Sequence, residues 1–279
     1  MSAADPTGQQ LLVVIDPVAR RVDGESVRIA RDVLCGGAVA KICLPNGPQE
    51  TVRAVARRGR RRIVVIGDDR ALLRVVALLH RKGELAEAPL AWVPVGPPHS
   101  LSVARALDVP PGAVAAARAV LEGAERRLGL LADEDGGVVL DGLWVPAGSS
   151  GPYAPGVPAP ARPWWRPTAR GALALLSRPT VRHQARAGCA ELRVVADGVL
   201  LAEPGQPVGR VTVSAVDGLA EVEVHPLGMD GPLRCRARSV TVSGPGFRYL
   251  ADNRSRGPVR ARTWTAVQEG WRLVLPSAP

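Results

Sequence analysis

Four times within the first 125 residues a short apolar run gives way to a longer amphipathic stretch. The apolar runs occupy residues 11–15, 39–44, 62–66 and 90–95. The intervening stretches, 26–34, 49–58 and 71–82, and the later ones, 101–107 and 113–121, carry helical spacing. In 71–82, for example, Leu72, Val75, Val76 and Leu79 fall on one side of a helix, and in 49–58 Val52, Val55 and Ala56 do. Parallel strands need a crossover of a dozen or more residues, usually a helix. Repeated β-α units of this length therefore predict a parallel sheet with helices on both faces. Gly36-Gly37 and Gly59 are the expected helix stops.

After residue 190 the period changes to that of strands. Residues 192–195 and 199–202 flank Asp197-Gly198, and 210–213 and 220–224 flank Asp217-Gly218. Both dipeptides are type I′ hairpin signals, since both central residues must take positive φ. Further strands are expected at 234–242, 247–251, 259–266 and 271–275. Antiparallel strands in that number predict a sandwich-like all-β region. Residues 146–163 hold six prolines and three glycines and read as loop, followed by a helix at 169–176 with Thr168 as its N-cap. The expected organisation is an α/β domain at 1–132, connecting strands, Pro-rich loop and helix at 133–189, and an all-β domain at 190–279.

Composition excludes several functions. The formal charge is +10, yet 34 of the 36 basic residues are Arg, a bias that needs no anionic partner to explain it. The densest cluster, Arg57, Arg58, Arg60, Arg61 and Arg62, precedes a strand; it suits contact with phosphates or an anionic membrane surface, but reads first as a solvated helix end and turn. With no aromatic residue among these arginines, nucleic acid is not an expected partner. Cys35, Cys43, Cys189 and Cys235 lack metal or disulfide spacing, and His80, His99, His183 and His225 are scattered, so no metal site is expected from them. Residues 1–10 lack a signal-peptide pattern, and no run reaches the ~20 apolar residues that span a bilayer. The expected location is cytoplasmic, at most peripheral at the inner membrane face. Trp164 and Trp165 beside Arg162 and Arg166 suit either a membrane interface or a flap over the domain junction.

In an open parallel sheet, ligands bind beyond the carboxyl ends of the strands. Three loops are expected there: Asp16-Pro17-Val18-Ala19, Gly67-Asp68-Asp69-Arg70-Ala71 and Pro94-Val95-Gly96-Pro97-Pro98-His99-Ser100. Their order and spacing resemble the diacylglycerol kinase family. That family carries an N-P-x-S-G-like turn, then G-G-D-G-T, then P-L-G-T-G-N-D-x-A-R-A-L. Asp16-Pro17, Gly67 with Asp69, and Pro94, Gly96 and Ala104-Arg105-Ala106-Leu107 match these patterns. Near the end, Asp252-Asn253-Arg254, Gly257-Pro258 and Leu273-Val274-Leu275-Pro276 resemble the family's D-G-E tripeptide, G-P turn and closing strand. The family's middle G-x-D-A segment has no counterpart here.

The resemblance implies nucleotide binding by Asp16, Gly67, Asp68, Arg70, Gly96 and His99, with ATP and Mg2+ as cofactors and a lipid as acceptor. It also implies that Asp69 orients phosphate or metal and that Asp252 is the general base. Without it, Gly67-Asp68-Asp69 reads as a strand-to-helix turn with Asp69 as N-cap, and Asp252 as a loop residue. The departures are chemical: Asp68 and Arg70 stand at Gly positions, Ala71 at Thr, and Pro97 and Pro98 at Thr and Gly. His99 and Ser100 replace Asn and Asp, and Arg254 replaces Glu. Two functions stay open, an ATP-dependent lipid kinase and a catalytically inactive pseudokinase kept as a binding or regulatory module. NAD kinase-like activity fits the 104–107 block less well.

Overall fold

The first strand, β1 (Gln10–Ile15), is apolar on both faces because it lies at the centre of a parallel ladder. With β2 (Val39–Cys43), β3 (Arg62–Gly67) and β4 (Leu90–Pro94) it forms the order β4-β3-β1-β2. The computed structural model describes residues 9–146 and 191–277. The Pro-rich segment beyond 146, the expected helix at 169–176 with Thr168, and Arg162, Trp164, Trp165, Arg166, His183 and Cys189 lie outside the described residues.

Alternation along β1 sorts the two helical layers. Leu12 and Val14 pack with Val55 of α3 (Pro48–Ala56), Leu72 and Val76 of α4 (Asp69–Arg81), and Val103 of α5 (Ser102–Ala106). Leu11, Val13 and Ile15 pack with Ala19 of α1 (Pro17–Val22), Leu34 of α2 (Gly24–Gly37) and Ala117 of α6 (Ala113–Glu122). The helices thus cover both faces, as the β-α repetition predicts. α2 ends at Gly37, the second glycine of the expected stop. The bare Cα of Gly37 also admits Leu121 of α6, whose Cδ1 would lie 2.4 Å from an added Cβ.

The remainder is antiparallel: β5 (Ala124–Asp133), β6 (Val138–Val139), β7 (Leu143–Pro146), β8 (Arg193–Ala196), β9 (Val199–Ala202), β10 (Val208–Val216), β11 (Leu219–Pro226), β12 (Leu233–Ala237), β13 (Ser239–Ala251) and β14 (Arg254–Leu275). A second core gathers Val211, Val222, Val240, Phe247, Tyr249 and Trp264. Both Asp-Gly hairpins form as expected, with φ of 45° and 83° at Asp197-Gly198 and 50° and 79° at Asp217-Gly218. The expected strands 259–266 and 271–275 are one strand, β14, with a bulge between Val267 and Trp271. Its end returns to the first half: Leu273 pairs parallel with Leu90 of β4, and Trp271, Leu273 and Leu275 enter the α/β core.

Arg57 and Arg60 are exposed, while Arg58 pairs with Glu84 at 2.7 Å and Arg62 with Glu125 at 3.0 Å. All lie at the amino-terminal edge of β3, opposite the ligand loops. Among the described residues no helix is long and apolar enough to cross a membrane, and no three His, Cys, Asp or Glu converge to hold a metal ion.

Candidate nucleotide and acceptor site

The carboxyl edges of β1, β3 and β4 bring the first two loops into contact. Asp16 leaves β1 with its amide bonded to Ile66 O at 2.9 Å. One carboxylate oxygen accepts from Val18 N at 3.0 Å and so caps α1, while the other is ion-paired with Arg74 of α4. Gly67 makes this junction possible. A Cβ there would lie 2.8 Å from both the Asp16 and Ala71 Cβ atoms.

Asp68, not Asp69, is the N-cap of α4. Its backbone is extended and its Oδ1 accepts from Ala71 N at 3.0 Å. Asp69 is already helical and turns inward. Its Oδ2 accepts from Ser102 Oγ at 2.9 Å and Val103 N at 3.1 Å, tying α4 to the start of α5. Asp69 Oδ1 is buried with no hydrogen-bond partner among the described residues. Burial pushes this carboxyl up, partly offset by the bonds from Val103 and Ser102. Gly96 is half-buried in the third loop beside Asp68. His99 is exposed in the 3-10 turn Pro98–Ser100, and Ser100 Oγ donates to Pro97 O at 2.9 Å. Arg70 is exposed as well.

The acid from the second half arrives on a hairpin. Asp252 and Asn253, at φ of 47° and 59°, form the turn between β13 and β14. The Asp252 carboxylate is buried and accepts from Leu140 N at 3.1 Å and Asp141 N at 2.8 Å. Burial pushes it up to about 7; the bonds from the Asp141 and Leu140 amides oppose this, and the nearby Asp141 charge adds to it. Asp141 itself is pushed up to about 6, by burial first and then by the charge of Asp69. Asp141 thus stands between Asp69 and Asp252 electrostatically, linking acids from the two halves. No motif in the sequence marks it. The Asp141-Gly142 dipeptide lies between the apolar run 138–140 and the strand starting at Leu143, but it makes no hairpin like the other two: neither residue has positive φ, and among the described residues β6 and β7 pair with other strands and not with each other.

Beside these acids the arginines crowd. The Arg254 guanidinium is pushed down by burial and then by Arg256, Arg70 and Arg74. The structure therefore gathers Asp16, Gly67, Asp68, Gly96 and Asp69 at one edge and brings Asp252 to them through Asp141. His99 stays apart on its exposed turn.

A parallel sheet with acid-bearing loops at its carboxyl edge, joined to an antiparallel region whose hairpin returns an acid toward them, defines a two-part fold. No family model matches this sequence, and no curated protein matches it. Solved structures do. A diacylglycerol kinase from Bacillus anthracis str. Sterne aligns over 97% of this chain and 98% of its own, with a TM-score of 0.65 and 13% identity. Two further structures from that organism, provisionally described as diacylglycerol kinases, align over 99% and 97% of this chain and 98% of their own. Their TM-scores are 0.69 and 0.66, at 12% and 13% identity. The chain has the fold of these proteins, an α/β part followed by an antiparallel β-rich part.

Proposed function

We propose that this chain is a divergent diacylglycerol kinase-like protein that keeps the fold as a binding or regulatory module and does not transfer phosphate from ATP to a lipid hydroxyl. The observation that carries this reading is the occupation of three helix N-termini at the ligand edge by the chain's own carboxylates. Asp16 caps α1, Asp68 caps α4, and Asp69 accepts from the first turn of α5. Helix N-termini and Gly turns hold phosphates through free N–H groups. Here a carboxylate takes one such N–H at each terminus, that of Val18, Ala71 and Val103 respectively, and also repels an incoming phosphate. Pro97 and Pro98 carry no N–H at all.

The residues present do not fit Mg-ATP. Asp252, pushed up to about 7 by burial, holds its proton through part of the neutral range, which weakens it as a metal ligand. Rebuilding the clamp tests the reading. Asp68→Gly, Arg70→Gly, Ala71→Thr, Pro97→Thr and Pro98→Gly together are expected to bring Mg-ATP binding into the calorimetric range. Each regained charge-assisted N–H contact is worth roughly 1.5–3 kcal/mol. A rebuilt protein that still ignores Mg-ATP would remove the loop chemistry as the cause.

One observation favours the competent lipid kinase. Asp252 is buried, held by two amides, and titrates at about 7, which suits a general base at neutral pH. In that reading Asp69 orients phosphate or metal, Asp252 takes the acceptor's proton, and turnover is lost in both Asp69→Ala and Asp252→Ala. Peripheral membrane contact through Trp164 and Trp165 is a separate proposal. Equal liposome co-sedimentation of the wild type and the double Ala variant would remove it.

A further inference from the structure

The turn that joins α3 to β3 carries Arg57, Arg58, Arg60, Arg61 and Arg62, with Arg53 one helical turn before them. The structure divides these arginines by what they touch. Arg58 Nη1 donates to Val55 O at 3.2 Å and Arg61 Nη1 to Arg58 O at 3.3 Å, so both close the carboxyl end of α3. Arg58 also reaches Glu84 at 2.7 Å, and Arg62 reaches Glu125 at 3.0 Å. Arg272, near the end of β14, meets the same Glu125 at 3.2 Å. These side chains account for the fold of the turn and tie it to its neighbours.

The others hold nothing together. Arg53 and Arg57 lie four residues apart, on one flank of α3, and Arg60 follows in the turn. All three are exposed, and their side chains form no hydrogen bond or ion pair among the described residues. Lys82 caps the end of α4, two residues before the Glu84 that Arg58 reaches, and is exposed and unpaired in the same way. Arg126 of β5 is in register with Leu273 of β14, and through it with Leu90 and Ile63. It too is exposed and unpaired among the described residues, so the basic surface crosses the amino edge of the sheet over about 14 Å. Glu84 and Glu125 are neutralised by the paired arginines, and Glu87 alone of the three acids there has no cation among the described residues.

We propose that this amino edge docks the protein on an anionic lipid bilayer, with Arg53, Arg57, Arg60, Lys82 and Arg126 against the headgroups. None of the five lines the cavities of about 570 and 450 Å3. They are spread over a helix flank, a turn, a helix end and a strand, whereas a single fitted anion needs donors that converge. A bilayer offers a plane of headgroups that separate cations meet one by one. No aromatic residue lies among them on which a nucleic-acid base could stack. The edge is opposite the ligand loops, so a chain docked in this way holds Asp252 and the loops after β1, β3 and β4 away from the lipid. The inference does not rest on the closed clamp, and it uses different residues from the contact proposed for Trp164 and Trp165.

The test is co-sedimentation of the full chain with phosphatidylcholine vesicles, with and without phosphatidylserine. Sedimentation is expected only with phosphatidylserine and should fall steeply between about 0.05 M and about 0.5 M NaCl. Each basic residue near an anionic leaflet strengthens binding roughly fivefold, so Arg53→Gln/Arg57→Gln/Arg60→Gln should weaken it about tenfold or more. Arg57→Glu reverses one exposed charge and should weaken it about tenfold, which keeps the test valid should the triple variant fold poorly. Arg20→Gln/Arg21→Gln/Arg193→Gln removes the same charge from exposed positions elsewhere. That variant should stay within about threefold of wild type, which separates a docking edge from general surface charge. Equal weakening in the two triple variants, or no sedimentation with phosphatidylserine, would overturn the inference. So would tight binding to duplex DNA by a chain that ignores the vesicles. None of these results bears on the closed clamp, which titration with Mg-ATP reads separately.

Discussion

Asp141 and Asp252 keep their protons to unusually high pH, and the consequence for stability can be given a sign. Both carboxyls titrate near 3.8 in an ordinary environment and at about 6 and about 7 in the fold. Between pH 4 and 7 the folded chain therefore binds more protons than the unfolded one, and stability falls as pH rises through that window. The loss attributable to Asp252 is on the order of 2–4 kcal/mol. Asp252→Asn stays neutral and keeps an oxygen for the Leu140 and Asp141 amides. Its urea midpoint should vary less with pH between 4 and 7 than the wild type's; an unchanged slope would mean the carboxyl is not buried as described. Single residues were the least legible level of the sequence. Asp69 reads as a cap and Asp68 as a displaced Gly, whereas the structure exchanges the capping role. One residue of difference in where α4 begins decides which carboxylate meets the helix and which turns inward.

At the level of elements, the α4 N-terminus joins stability to the proposed loss of function. Asp68→Ala should cost about 1 kcal/mol, while Asp68→Gly should cost only a few tenths. The glycine required to rebuild the clamp is therefore tolerated, and thermal unfolding of the two variants checks the difference. The β-α units of the first half and both Asp-Gly hairpins were legible because their periods and turn residues are local. The strands β5 to β7 were not. The first four residues of β5, Ala124 to Arg127, are exposed and three of them are charged, so no apolar alternation marks the start of this edge. β6 is two residues long and, among the described residues, pairs only with β5. Asp141 was missed along with them, since its position has meaning only once β6, β7 and the Asp252 hairpin are adjacent.

The whole molecule is tied together by β14, which runs from the Asp252 turn through the antiparallel region and ends beside β4. No local signal reveals that return, because a strand's partner lies far away in sequence. It has a consequence for the expected division at residue 132. We propose that the first half is completed by residues 271–275, so a fragment ending at 132 should lack cooperative unfolding. Trp271 is fully buried and its indole donates to Gly129 O at 3.3 Å. Trp271→Ala should cost about 3–5 kcal/mol, read from denaturant melts. A cooperative 1–132 fragment would show that the returning strand is dispensable.

The closed clamp is tested most directly by titrating Mg-ATP into the purified wild-type chain, with labelled phosphate transfer to diacylglycerol in mixed micelles followed in parallel. The expected result is no measurable binding and no transfer, because Asp16, Asp68 and Asp69 already accept from the Val18, Ala71 and Val103 amides and set negative charge at the ligand edge. Micromolar affinity for Mg-ATP, with transfer that disappears in both Asp69→Ala and Asp252→Ala, would contradict the account and establish the competent lipid kinase in its place.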